Sequence, residues 1–317
     1  MARKLLVAIA LVLGLVSSTV ALPGAASATA SCPTGQTVTT AAQLTTAIAT
    51  ATPGAVINLV GGVTYVGPFE TTVSGTQAAP ITLCGPSNAI VDGKSKSRIF
   101  HLNGASWWRI SGFEMRNGNK GLGLTHASHN EIADLYIHNT SGASVHINSF
   151  STDNTIDHLT LRDSGAEGVY VGSAYGNWCA YSNCVADASD RNLIQNSDIA
   201  YTDDEPIDIK EGSTGGQVLN NYFDGIGTSV KKGWINVKGN NYLISGNVGV
   251  NTGDDGFQVH RVIQGWGNNN TFTGNSATNN GPGYGFYVQG GSTGNSIACG
   301  QTVVAAGSGY SNVACQP

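Results

Sequence analysis

The sequence predicts an all-β chain wound into a right-handed parallel β-helix, with a short capping helix at its N-terminus. Three observations predict it. An apolar position returns at Ile110, Ile132, Ile156, Ile194, Val218, Leu243, Phe272 and Ile297, in steps of 22, 24, 38, 24, 25, 29 and 25 residues. Between returns lie short apolar-polar-apolar strands and no amphipathic helix, so each repeat buries its apolar face only by stacking on the next. Asparagine and glycine punctuate the strands, and glycine alone accounts for 43 residues, about twice average usage. Leucine-rich repeats share the period, but their regular leucine framework is missing.

In chain order, residues 1–30 read as an address. Arg3 and Lys4 precede an uncharged apolar run from Leu5 to Val16, and small residues at Ala26-Ser27-Ala28 and Ala28-Thr29-Ala30 suit cleavage. The expectation is a secretory signal peptide, a mature domain spanning residues 31–317, and a secreted, extracellular monomer. No later apolar run approaches a membrane span, so no membrane partner is expected. Ala41 to Thr50 reads as a short amphipathic helix covering the open end of the coil, where unpaired backbone and apolar core need a lid. Val56 to Val66 and Ile81 to Cys84 supply first-rung strands, and residues 105 to 300 supply about seven or eight coils. The one long step holds an insertion from Tyr175 to Asp190. Asn154, Asn192, Asn220, Asn247 and Asn275 recur beside the strands and are expected to stack at the turns.

Six cysteines follow the leader, and an even count in an exported chain favours disulfides. Several connectivities satisfy the count; the expectation is local pairing, Cys32 with Cys84, Cys179 with Cys184 and Cys299 with Cys315. Zinc would need paired Cys-x2-Cys spacings or a completing histidine, and neither is present. Net charge is -5, charged residues are 11% of the chain, and no block of lysine or arginine occurs, so nucleic acid is not an expected partner. An acidic ligand must be met by a few placed cations or a bound metal.

Superposing one strand of successive rungs gives Val145-His146-Ile147, Val169-Tyr170-Val171, Ile207-Asp208-Ile209, Ile235-Asn236-Val237, Phe257-Gln258-Val259 and Phe286-Tyr287-Val288. The apolar residues point inward and their partners outward. One residue further, on the same outward face, come Lys210, Lys238 and His260, roughly 4.8 Å apart from rung to rung. Two lysines side by side in a chain so poor in charge point to a task. Each is expected to lower the other's pKa, and a lysine so lowered can serve as general base. Acidic residues gather at the edge of this face: Asp203-Asp204-Glu205, Asp254-Asp255, and Glu167 in line with Glu205. Glu167, Asp203 and Glu205 are the candidate ligands for a hard cation, calcium above all outside the cell.

At these residues the chain resembles polysaccharide lyase families 6 and 9, secreted β-helix enzymes that cleave uronate-containing polymers with the help of calcium. The stretch Asp203-Asp204-Glu205-Pro206-Ile207-Asp208-Ile209-Lys210 is similar to the family 6 arrangement of acid, x, Glu, four residues, Lys. Ile235-Asn236-Val237-Lys238 falls where family 6 carries a second catalytic cation, an arginine. Lys238 followed by Gly253-Asp254-Asp255-Gly256-Phe257 resembles the surroundings of the family 9 catalytic lysine. The resemblance implies a secreted lyase acting on an acidic polysaccharide by calcium-assisted β-elimination. In that reading Lys210 is the base, Lys238 stabilises developing charge, and Glu167, Asp203 and Glu205 hold calcium. His260, Asp208, Tyr170, Gln258, Asn236, His146 and Tyr287 then bind sugar. Two alternatives stand beside it. A β-helix glycoside hydrolase needs paired carboxylates around the scissile bond rather than lysines. A non-catalytic carbohydrate-binding β-helix needs no reactive group at all.

Overall fold

A computed structural model of the chain describes residues 32–228 and 232–317. The expected leader, residues 1–30, lies outside the described residues. Strands of a few residues stack in parallel on their counterparts one coil later, as the alternating pattern requires. One face is an eleven-stranded parallel sheet from Gln36–Val38 to Ser296–Ile297. The other two faces open in Thr64–Val66 and Phe69–Thr71 and then run together in two long strands, Ile90–Asn103 and Glu114–Thr125, each of which serves both faces. From Tyr136–Thr140 and Val145–Asn148 onward, each coil has a separate strand for each face. The result is the expected parallel β-helix.

The core is the space the coils enclose. Val145, Ile147, Val169, Val171, Ile207, Ile209, Ile235, Val237, Phe257 and Val259, the expected inward positions, are all fully buried. Phe257 stacks on Phe286 at 5.2 Å between ring centroids, and Trp234 meets Phe257 edge-on at 5.3 Å. Gly249 makes room for Trp234: a Cβ there would stand 2.3 Å from the indole ring. The repeat is shifted at one coil, where Ile244 rather than Leu243 pairs with Val218 and Phe272. Two adjacent aliphatics leave the alternation undecided, and only the fully enclosed Ile244 faces the core.

Helix Ala41–Thr50 covers the N-terminal end as expected, burying Leu44, Ala47 and Ile48, a spacing that sets all three on one face. Thr40 Oγ1 accepts from Gln43 N–H at 3.2 Å, satisfying one of the donors that a helix start leaves open. The three disulfides pair as expected. The insertion forms a short turn at Tyr175–Asn177 and a helical turn at Trp178–Tyr181. Buried Asp187 pins it to the coil, accepting from the N–H groups of Ser149 and Phe150 at 2.9 Å and from Ser173 Oγ at 2.6 Å. Among the described residues, no helix is long and apolar enough to cross a membrane.

Asparagines stack at the turns, but in separate ladders rather than one, with Asn270 on Asn295 a shorter stack beside the two longest. Asn130, Asn154 and Asn192 form the first, and Asn221, Asn247 and Asn275 lead to Gln301 in the second. Asn220, expected in the stack, instead takes the left-handed turn position at φ 54, and its neighbour Asn221 supplies the amide. Asparagine tolerates both roles, so adjacent asparagines cannot be told apart by type. Asn247 accepts from Asn221 N–H at 2.9 Å and donates to Val218 C=O at 2.8 Å, fully enclosed. Asn247→Ala orphans both groups and is expected to destabilise the fold by about 3 kcal/mol, read as a lower urea midpoint.

Candidate active site

One outward face of the third sheet carries the chemistry. His146, Tyr170, Asp208, Asn236, Gln258 and Tyr287 are paired rung to rung, the register expected from the sequence. The same column continues toward the N-terminus through Gly123, His101 and Glu70. Lys210, Lys238 and His260 stand one residue further along their strands. With Asp208, Asn236, Gln258, Glu167 and Glu205 they line a cleft of about 540 Å³.

Asp208 organises this cleft. Its side chain is 2% exposed. Oδ1 accepts from Lys238 Nζ at 2.5 Å, and Oδ2 pairs with Lys210 Nζ. Burial acts to raise its pKa, but Lys238 and Lys210 together hold the carboxyl below its usual range. The expectation that the two lysines lower each other's pKa is therefore not met at Lys210. Burial does oppose its charge, yet the carboxylate between the lysines outweighs that and raises the pKa above the ordinary lysine value. Lys210 is a fixed ammonium rather than a free amine.

His260 has the opposite character. Burial, then the nearby Lys238 charge, lowers its pKa and keeps the imidazole neutral. Its Nδ1 lies 2.8 Å from Asn236 Oδ1, and Asn236 Nδ2 donates to Glu205 Oε1 at 2.9 Å. That second bond fixes the amide orientation, so Oδ1 must accept and Nδ1 must carry the proton. The Nε2 lone pair is left for a ligand. Glu205 is buried and is itself held by Lys232 Nζ, 3.3 Å away.

The acidic cluster differs in one member from the expected set. Carboxylate oxygens of Glu167, Glu205 and Asp208 lie within 4.8 Å of one another. Asp203 is elsewhere, exposed and lining a separate cleft with Asp163, Ser164 and Tyr201. Tyr201 adopts a left-handed backbone at φ 56, which turns the chain and breaks the alternation that would have set Asp203 beside Glu205. Burial, then Asp208, pushes the Glu167 carboxyl up to about 7. The folded chain then binds more protons than the unfolded one between the ordinary value of 4.5 and about 7, so stability falls as pH rises through that window. The expected loss is about 3 kcal/mol, absent in Glu167→Gln, in denaturation midpoints compared at low and high pH.

Three cations were not anticipated. Arg98 and Lys120 are register partners on the two long strands, and Lys120 Nζ lies 2.5 Å from His146 Nδ1. Burial, then Arg98, lowers Lys120 to about 8. Burial, then Lys120, takes His146 to about 3, so its ring is neutral. Lys120, His146, Glu167 and Tyr170 line a second cleft of about 250 Å³, walled by Asn177 and Tyr181 of the insertion. Extending the columns two rungs toward the N-terminus would have found Arg98 and Lys120. There each rung runs both faces together in one long strand, Ile90–Asn103 or Glu114–Thr125, so the apolar-polar-apolar triplet is not set apart from the strand before it. Lys232 sits in a loop outside the repeat. Glu167 lines both clefts, and Lys210 Nζ of the first lies 4.8 Å from the ring centre of Tyr170 in the second. Tyr287 follows His260, their ring centroids 5.7 Å apart.

No family model matches the chain, and no curated protein matches its sequence. Solved structures do. The alginate lyase from Paenibacillus sp. str. FPU-7 is 34% identical, covering 87% of this chain and 97% of its own, with a TM-score of 0.77. A pectate lyase is 17% identical over 78% of this chain and 70% of its own, with a TM-score of 0.52. A PL6 family alginate lyase is 17% identical over 84% of this chain and 40% of its own, with a TM-score of 0.51. The last two share the fold alone. At 34% identity across nearly the whole of both molecules, the chain belongs to the family of the Paenibacillus alginate lyase and is a polysaccharide lyase of the parallel β-helix class.

Proposed function

We propose that this lyase cleaves a 4-linked uronate polymer, alginate first among candidates, by β-elimination in the cleft around Asp208. The observation that carries the reading is the pairing of two lysine cations with a neutral, tautomer-locked histidine on adjacent rungs. The Paenibacillus relative, an alginate lyase, supports the choice of polymer. Lys238 and Lys210 neutralise the uronate carboxylate, which acidifies the proton on the adjacent ring carbon. His260 Nε2 removes that proton, the carbon–carbon double bond forms, and the bond to the 4-linked oxygen breaks. A lysine ammonium returns a proton to the leaving oxygen. Lys210 thus acts as a cation and His260 as the base. Tyr170, Gln258, Tyr287 and His146 flank the site and bind neighbouring sugar units. Secretion fits this role, and the three disulfides suit an oxidising compartment.

Calcium is the cofactor expected from the sequence, and the donor set tests it. Glu167, Glu205 and Asp208 are close enough to share an ion. Yet both Asp208 oxygens are taken by lysines, and Glu205 is held by Lys232 and Asn236. A calcium ion would have to displace three ammonium groups, so the residues do not fit a resident ion and no step is routed through one. Turnover is therefore expected to stay within about twofold in excess chelator. A loss restored by calcium would return the metal to the mechanism. Hydrolysis fits less well, because Asp208 and Glu205 are neutralised by lysines rather than poised as an acid and base pair. A screen of uronate polymers for unsaturated product tests the proposal: ultraviolet absorbance rises if elimination occurs, and new reducing ends without that absorbance overturn it.

A further inference from the structure

Arg98 and Lys120 are two cations at the N-terminal end of the groove without a carboxylate partner. Lys210, Lys232 and Lys238 each pair with a carboxylate, whereas neither Arg98 nor Lys120 forms an ion pair with any described residue. Arg98 lies over Gly123, where a Cβ would stand 2.7 Å from its Cδ and Nε. Gly123 holds the outward position between His101 and His146, so the missing side chain is the slot that the Arg98 stem fills.

Three buried atoms here make no well-formed hydrogen bond: Arg98 Nε, Asn148 Nδ2 and His146 Nε2, although His146 also interacts with the Gly172 backbone. Lys120 donates to Nδ1 of the neutral His146, so that ring carries its proton on Nε2. All three orphans are therefore N–H donors. Buried donors without acceptors are rare, and these, on the two strands that flank the strand of Gly123 and beside two cations without an ion pair, describe a site for an oxyanion. His146 is 6% exposed and borders the cleft of about 250 Å³ that also holds Lys120.

We propose that Arg98, Lys120, His146 and Asn148 form a second carboxylate subsite, which takes a uronate unit several sugars away from the one being cleaved. It rests on the eliminative reading of the groove. Gly123 and Asn236 are four rungs apart, roughly 19 Å along the axis, so the polymer lies lengthwise on the sheet and is held at two anionic points. Short oligomers engage only the Asp208 cleft. Longer ones span both sites, and the second contact raises their effective affinity.

The test compares kcat/KM for alginate oligomers from trimer to octamer, followed by unsaturated product, in wild type, Arg98→Ala and Gly123→Ala. Gly123→Ala keeps every charge but displaces Arg98, and so stands in if Arg98→Ala fails to fold. Wild type is expected to favour octamer over trimer strongly, and both variants to lose at least tenfold of that advantage. An unchanged advantage overturns the subsite. A parallel titration of octamer into His260→Ala protein, with and without Arg98→Ala, reads binding without turnover. At least tenfold weaker binding supports the subsite even if no polymer is cleaved, and equal binding overturns it.

Discussion

His260→Ala is expected to lower turnover on a uronate polymer by about a thousandfold while leaving the fold intact. Its Nε2 is the one lone pair that the cleft presents on a locked neutral ring, and bulk water at neutral pH does not replace a positioned base. The relay behind it predicts a graded series. Asn236→Ala removes the acceptor that holds Nδ1–H, freeing the ring to change tautomer and to turn. A loss of roughly tenfold to a hundredfold is expected, in turnover more than in apparent affinity. The pH profile gives a separate readout. A neutral histidine with a lowered pKa keeps its base form well into the acid range, so activity should persist below the ordinary histidine value of 6.5. If His260→Ala retains wild-type turnover, the base is elsewhere.

Asp208→Asn should have the largest effect on stability. The substitution removes one buried negative charge from between two ammonium groups, and breaking a buried ion pair on one side costs about 3–5 kcal/mol. Two titrations bound the effect. The Asp208 pKa is lowered in the fold, so its contribution is present above the unfolded value of 3.8 and is lost as pH falls through the lower folded value. The Lys210 pKa is raised, so its contribution is present below the unfolded value of 10.5 and is lost as pH rises through the higher folded value. The stability gap between wild type and variant should be flat in the neutral range and close at both extremes. Chemical denaturation across pH measures it. A gap below about 1 kcal/mol at neutral pH would mean that the lysines do not depend on Asp208.

The coil was legible because its physics is periodic. Alternation placed His146, Tyr170, Asp208, Asn236, Gln258 and Tyr287 in one column, and parallel stacking kept them there. Slips occurred only where neighbours of one type compete, Leu243 with Ile244 and Asn220 with Asn221. Electrostatics was less legible. The lysines were seen as a pair because they share a column, but the charge between them sits in the adjoining column. Only side-chain direction shows that Asp208 reaches both. Asp203 was misplaced because one left-handed residue, Tyr201, resets the chain direction. Arg98 and Lys120 are less legible because their rungs merge two faces into one long strand, and the triplet that marks the column is not set apart there.

Elimination at the Asp208 cleft is tested most directly by one assay. Alginate is incubated with wild type, His260→Ala and Lys238→Ala, and both ultraviolet absorbance of unsaturated uronate and new reducing ends are followed. Absorbance and reducing ends are expected to rise together in wild type, and both to fall by at least about a hundredfold in each variant. Reducing ends without absorbance, or variants as active as wild type, would contradict elimination at that cleft.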